Sequence, residues 1–259
     1  MDRKKRRAGG TGARVAIMGL LALAAVGGVA CGTDSVKQKT TAQQTTSPPT
    51  SAYAPRIDPA DFSTTIDNPF LPLRPGTRMI YQGQGETGQE RTVIEVTRDT
   101  RTVMGVATVV VHDLVTVDGT TTEDTYDWYA QQRDGSVWYL GEDTKAYEDG
   151  KVSTKGSWEG GVAGALPGIA MPGQPEVGQK FRQEYSRGEA EDMGEVLSLT
   201  ESITVPFGTF AGVVKTEDTT PLEPDLVEQK YYARGIGLVL GIDVAGGKDR
   251  TELVAVEQF

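Results

Sequence analysis

The chain has one cysteine and one histidine in 259 residues, and these two scarcities remove most site chemistries at once. With Cys31 alone, no internal disulfide can form. A zinc site would need more His or Cys than the chain holds. Any Ser-His-Asp or Cys-His system would have to recruit His112, and no Gly-x-Ser-x-Gly elbow accompanies it. On strand alternation His112 shares a face with Val110 and Leu114, as a packed strand residue does. A Walker-type Gly-rich phosphate loop is also missing. Positive charge is short as well: the formal net charge is -10. Residues 1–30 hold six Lys/Arg and one Asp, so their removal would take it to -15. Such a surface repels nucleic acid and anionic headgroups, so no nucleic-acid partner is expected. No cofactor or metal is expected either.

What basic charge there is stands at the front. Arg3-Lys4-Lys5-Arg6-Arg7 precedes a small, apolar run from Val15 to Val29, then Ala30-Cys31. That is the layout of a secretory signal peptide over residues 1–30. The run is too short and too rich in Gly and Ala to span a bilayer, which takes about 18–20 strongly apolar residues. Arg6-Arg7 lacks the apolar follow-on of a twin-arginine signal, so the general secretory route is expected. Gly28-Val29-Ala30-Cys31-Gly32 resembles the lipobox of bacterial lipoproteins, with Gly28 where Leu is usual. The resemblance implies a diacylglycerol thioether on Cys31, carrying palmitate-type chains. The mature protein would then sit on the outer face of the cytoplasmic membrane. From Gly32 to about Pro55 the chain is Thr, Ser, Gln, Lys and Pro, a disordered linker (residues 31–57 with the anchor) spanning about 25–30 Å.

Residues 58–259 are enough for one core. Alternating or β-branched runs recur at Arg91–Thr100, Ala107–Val117, Thr121–Gln131, Val137–Gly141, Val227–Ala233, Leu238–Asp243 and Thr251–Val256. Asp118-Gly119, Asp134-Gly135, Asp149-Gly150 and Gly246-Gly247 are suited to tight hairpins between them. No clean helical period of a dozen residues appears; the nearest, Glu189–Leu199, is broken by Gly194. An internal repeat runs at an offset of about 100 residues. Pro75-Gly76-Thr77 answers to Val177-Gly178-Gln179, Arg101-Thr102-Val103 to Ile203-Thr204-Val205, Trp128-Tyr129-Ala130 to Tyr231-Tyr232-Ala233, and Leu140-Gly141 to Leu240-Gly241. The expected fold is mainly β: a curved antiparallel sheet (half-barrel, barrel or sandwich) of two tandem β-meander repeats, with few helices. Repeat one covers about 70–150 and repeat two about 174–247, joined by a connecting loop at 156–173.

Asp67-Asn68-Pro69-Phe70-Leu71-Pro72-Leu73-Arg74-Pro75-Gly76-Thr77, with Tyr81, resembles the opening of a group of uncharacterised exported bacterial proteins, many actinobacterial. The likeness continues through Asp127-Trp128-Tyr129-Ala130, Gly156-Ser157-Trp158-Glu159 and Lys230-Tyr231-Tyr232-Ala233. It implies an exported lipoprotein with a β domain and no known activity. A lipid-anchored curved sheet also resembles LolA/LppX-like carriers, which cradle an acyl chain between a half-barrel and plugging helices; such helices are missing here.

Site candidates are few. The carboxylates Glu123-Asp124, Asp127, Glu142-Asp143, Glu148-Asp149, Glu189, Glu191-Asp192 and Glu217-Asp218 sit mostly beside turns, where acids solvate loops. Two positioned carboxylates would suffice for glycoside hydrolysis, the least favoured reading. The aromatic strand supplies Tyr126, Trp128 and Trp138, as core or as a wall for sugar or lipid. The Gly/Pro-rich connector carries Trp158, Leu166, Ile169 and Met171, either capping the core or serving as a lid. These seven residues are the candidate ligand contacts. The expected function is a non-enzymatic envelope lipoprotein binding an apolar or amphiphilic molecule or a glycan. The alternative is a scaffold whose partner is another protein. If Cys31 is the anchor, Cys31→Ser should move the protein from the membrane fraction to the soluble fraction on cell fractionation. Continued membrane retention would refute it.

Overall fold

The computed structural model describes residues 53–84 and 88–259; the signal, Cys31 and nearly all of the linker lie outside them. Strands dominate, with one 3-10 turn at Pro59–Asp61 and no α-helix among the described residues. The first half contributes β1 (Phe62–Ser63), β2 (Thr77–Gln84), β3 (Gln89–Val103), β4 (Val106–Val117), β5 (Thr120–Gln132) and β6 (Val137–Glu148). Four short strands follow: β7 (Lys151–Ser153), β8 (Trp158–Glu159), β9 (Leu166–Met171) and β10 (Lys180–Arg182). The second half adds β11 (Glu184–Tyr185), β12 (Met193–Val205), β13 (Gly208–Thr219), β14 (Val227–Ala233), β15 (Gly237–Ala245) and β16 (Arg250–Gln258).

The pairing is antiparallel throughout, and its order is β10-β12-β13-β14-β15-β16-β2-β3-β4-β5-β6-β9-β11. The two ends of that path, β10 and β11, are successive pieces of one stretch separated by Gln183. The sheet therefore curls into a nearly closed barrel, which removes most exposed edges. Two meanders, β2–β6 and β12–β16, lie side by side, joined where β16 pairs with β2. They enter alike: Gly76 N–H donates to Val96 O at 2.7 Å, and Gly178 N–H to Val196 O at 2.8 Å.

All four sequence-marked turns fall at strand junctions. Asp118 and Gly119 both adopt positive φ, 48° and 80°, as a tight hairpin requires. Glu189–Leu199, the nearest approach to a helical period, holds strand β12 from Met193, in keeping with its break at Gly194, where a Cβ would meet the Phe181 ring at 2.6 Å. One expectation fails: the 156–173 connector is not an irregular loop, since β8 and β9 pair with β6. Pro167 can stand in β9 because this strand pairs only briefly on each side, so a missing N–H breaks no long ladder. The closed sheet also leaves no place for the half-barrel-and-helix plan of the LolA/LppX-like carriers.

One end of the barrel is stopped by the chain preceding β2. Ile66, Phe70, Leu71 and Leu73 are buried in the main core, and Ile66 bridges to Leu73. Asn68 organises the plug. Its Oδ1 accepts from the N–H groups of Phe70 (2.8 Å) and Leu71 (3.1 Å), while its Nδ2 donates to Gly135 O and Pro172 O. Gln131 Oε1 accepts from Asp67 N–H and Asn68 N–H, fixing the plug to β5. Asn68→Ala would strand the Phe70 N–H and the Gly135 and Pro172 carbonyls, at about 1–3 kcal/mol for each group left unsatisfied. We expect a loss of about 2–4 kcal/mol in urea unfolding; a change below about 0.5 kcal/mol, typical of a surface site, would show the plug to be dispensable.

Candidate functional site

Alternation along the strands sorts the candidate residues onto two faces. Tyr126 and Trp128 point outward from β5, while Asp127 and Tyr129 point inward. Trp128 and Trp138 belong to a small outer cluster with Val103, Val106, Ala130 and Leu140, covered by Ile57 and Phe62. Phe62 meets Trp138 edge-on at 6.0 Å, and the Arg101 guanidinium lies 3.9 Å from the Trp128 ring centre. Tyr126 is partly exposed and stacks on His112, whose Nε2 is 2.9 Å from Asp124 Oδ1. His112 thus sits on the outer face with Val110 and Leu114, as alternation indicated.

The connector residues divide in the same way. Trp158 and Met171 join the main core, Met171 with no exposed surface. Leu166 and Ile169 are half-buried, and Ile169 packs against both clusters. The seven candidates therefore do not converge on one site.

What does converge inside is a belt of charge. A β-bulge in β6 starts it: the register steps from Asp127–Glu142 to Tyr129–Tyr139. Tyr139 and Glu142 are three residues apart, yet both reach the interior. Gly141 makes this possible, with φ +143° and a backbone pressed so close to β8 that a Cβ would lie 2.5 Å from Trp158 O. Tyr139 donates its hydroxyl to Asp127 Oδ1 at 2.6 Å and stacks on Tyr129 at 4.8 Å. Trp158 Nε1 donates to Glu184 Oε2 at 2.8 Å. Glu184 in turn shares a hydrogen bond with Asp192.

Across the interior stands the one buried cation of this belt. Lys230 Nζ lies 2.9 Å from Asp218 Oδ2 and 3.2 Å from Glu228 Oε2. Asp218 also accepts from Gln183 Nε2 (3.1 Å) and Thr216 Oγ1 (3.0 Å). Burial works against the Lys230 charge, but Asp218 and Glu228 outweigh it and hold its pKa well above the usual lysine value. The carboxyls have no such balance. Burial, opposed by the Tyr139 bond, pushes Asp127 up to about 7. Burial pushes Asp192 to about 7 as well, against bonds from Glu184 and Thr220. Burial and then neighbouring carboxyls raise Glu142 and Glu184 well above the ordinary range. Among the described residues, Asp127 Oδ2, Glu142 Oε1, Glu184 Oε1 and Asp192 Oδ2 have no hydrogen-bond partner. A proton is the cheapest way to relieve such a group.

Between the plug and this belt is a cavity of about 20 Å³, lined by Leu71, Tyr129, Tyr139, Gln183, Glu184, Asp192, Lys230 and Tyr232 among others. That is room for about one water molecule. Neither an acyl chain nor a sugar ring fits there. Among the described residues no group of three or more His, Cys, Asp or Glu is placed to hold a metal ion.

Several of these acids were read from sequence as loop solvation; Asp127, Glu142, Asp192 and Asp218 are instead buried. Glu184 was not singled out from the sequence, and Lys230 figured only within a resemblance motif, not as a site residue. A signal did exist for Lys230. The expected repeat would set Asp127-Trp128-Tyr129-Ala130 against Lys230-Tyr231-Tyr232-Ala233, and Asp127 and Lys230, of opposite charge, are both buried.

No family model matches the chain, and no curated protein is similar to it in sequence. Two solved structures resemble it. One is a proposed exported protein with a YmcC-like fold from Bacteroides fragilis, 15% identical, covering 73% of this chain and 99% of its own, with a TM-score of 0.44. The other is a proposed lipoprotein from Parabacteroides distasonis, 17% identical, covering 73% of this chain and 98% of its own, with a TM-score of 0.40.

Trp158 now allows a sharp expectation. Its ring meets Tyr139 edge-on at 5.4 Å and its N–H has a buried acceptor, so it caps the core. Trp158→Ala should cost about 3–5 kcal/mol, as a buried aromatic does. A cost below about 1 kcal/mol in denaturant unfolding would mark a mobile lid instead.

Proposed function

We propose that this chain is an exported, lipid-anchored barrel that acts outside the cytoplasmic membrane as a non-enzymatic scaffold, meeting protein partners with its surface. The filled interior beneath residues 156–173 carries this reading. An apolar or amphiphilic ligand would need a groove there, and Trp158 and Met171 occupy that position themselves. A wall glycan would need an open cleft between its carboxyls, and the Glu184–Asp192 pair faces a cavity of one water's size.

The anchor follows from the basic, apolar and Cys31 sequence at the front of the chain. The barrel wall does not replace that anchor. Its outer face carries ion pairs, Arg78–Glu95 at 2.6 Å, Lys180–Glu195 at 3.0 Å and Arg250–Glu252 at 2.6 Å. A membrane barrel has the opposite arrangement, with a lipid-facing apolar band.

Native mass spectrometry of the full chain extracted from its own host tests the scaffold reading. The expected mass is that of the lipidated protein alone. A stoichiometric lipid or glycan released only on unfolding would overturn it in favour of ligand carriage.

A further inference from the structure

The ring of hydrogen bonds is shortest at β9–β11, with two residue pairs against three at β15–β16, β6–β9 and β10–β12. β9 meets β11 through Leu166–Tyr185 and Pro167–Glu184 only, and Pro167 has no N–H to offer. By contrast, the β2–β3 ladder runs unbroken from Thr77–Val96 to Gln84–Gln89. The rest of the seam is contact without bonding. The backbone of Gly168 presses on the opposite strand so closely that a Cβ would lie 2.4 Å from Arg182 O.

This seam is held from both sides. Outside, the Tyr53 hydroxyl donates to Pro167 O at 2.7 Å. The Tyr53 ring meets Tyr185 edge-on at 6.4 Å, and the Arg182 guanidinium lies over both rings, at 5.4 and 4.9 Å. One residue thus bridges β9 to the Lys180–Tyr185 stretch, and it is the first of the described residues. Inside, Glu184 belongs to the seam itself and is tied to Trp158 and Asp192.

We propose that the β9–β11 contact is a gate, strapped outside by Tyr53 and latched inside by the Glu184–Asp192 carboxyl pair in its protonated form. The groups facing that pair come from every neighbouring element. They are Tyr129 on β5, Tyr139 and Glu142 on β6 (Glu142 being acted on in turn by Asp127), and Trp158 on β8. From the other side they are Asp218 on β13, Thr220 just after it, and Lys230 and Tyr232 on β14. Acids outnumber the one lysine, and that lysine is already engaged by Asp218 and Glu228.

The direction with pH follows. A buried carboxyl whose pKa is raised on closing favours the closed form while it keeps its proton. That advantage fades as pH climbs from the ordinary carboxyl range through the raised value, about 7 for Asp192. Opening hydrates the pair, so alkaline conditions favour the open seam.

Hydrogen exchange of the full chain in lipid nanodiscs, corrected for intrinsic rates, tests this at about pH 5.5 and about pH 8.5, on either side of the value of about 7 to which Asp192 is raised. Residues 166–171 and 180–185 should exchange about tenfold faster at the higher pH, the change expected for one pKa unit. Protection in β3 and β4 should not move. Glu184→Gln should flatten the pH response while keeping the Trp158 bond, and Asp192→Asn serves the same purpose should the first variant fail to fold. Tyr53→Phe should speed seam exchange at both pH values. Equal pH responses across the whole barrel would overturn the gate, as would a seam response that survives both carboxyl substitutions. Unchanged seam exchange in Tyr53→Phe would remove the strap.

Discussion

An antiparallel sheet leaves two unpaired edges, and here they are bridged to each other by six residues, Lys180–Tyr185. Lys180–Arg182 pair with β12, and Glu184–Tyr185 pair with β9. The stretch works only because each neighbour makes room for it. Gly194 lets the Phe181 ring lie against β12, and Gly168 lets β9 approach the Arg182 backbone. Either glycine with a side chain would push the two ends of the sheet apart. The interior would then open along one line, because the core residues of both meanders meet behind that stretch.

Closure sets a volume that aliphatic residues cannot fill alone. A wide barrel encloses a lumen unless something long occupies it. Three fillers share the task here: the Ile66–Leu73 plug, the aromatic rings of Tyr81, Tyr129, Tyr139, Trp158 and Tyr232, and the long polar side chains of Glu142, Glu184 and Lys230. Tyrosine and tryptophan bring polar tips into the core, and those tips need partners. Tyr81 finds Leu238 O, Tyr139 finds Asp127 and Trp158 finds Glu184. The buried acids are thus partly an answer to the aromatics, and both answer the barrel's girth.

This explains what could be read from the sequence. Strand texture, the Asp-Gly turns and the near absence of helix depend on local pattern, and they were legible. So was the face assignment of Tyr126 and Trp128 against Asp127 and Tyr129. Which face would be interior was not, because an aromatic pair and an acid–tyrosine pair look like outside and inside in the wrong order. Trp128 is buried by Ile57 and Phe62, residues far away in sequence. The bulge at Gly141 and the strand role of Leu166–Met171 depend on close backbone approach, which Gly and Pro permit but do not announce. Asn68 was visible only as part of a resemblance; its role as a four-bond hub is a tertiary fact.

Filling alone does not account for the sign of the interior. Neutral Gln, Asn or Met would occupy the same volume without a charging cost, and a balanced set of ion pairs would carry none that grows with pH. Instead Asp127, Glu142, Glu184 and Asp192 are all buried, and Lys230, which acts on Asp192, is already held by Asp218 and Glu228. A carboxylate that ionises there loses hydration and gains at most a share of Lys230, which eases Asp192 but does not offset its burial, so the closed barrel favours the protonated acids. The tension is greatest beside the shortest ladder of the ring, because Glu184 is both a member of that ladder and a member of the acid pair. Where the backbone bonding is thinnest, side-chain protonation takes over the work of closure.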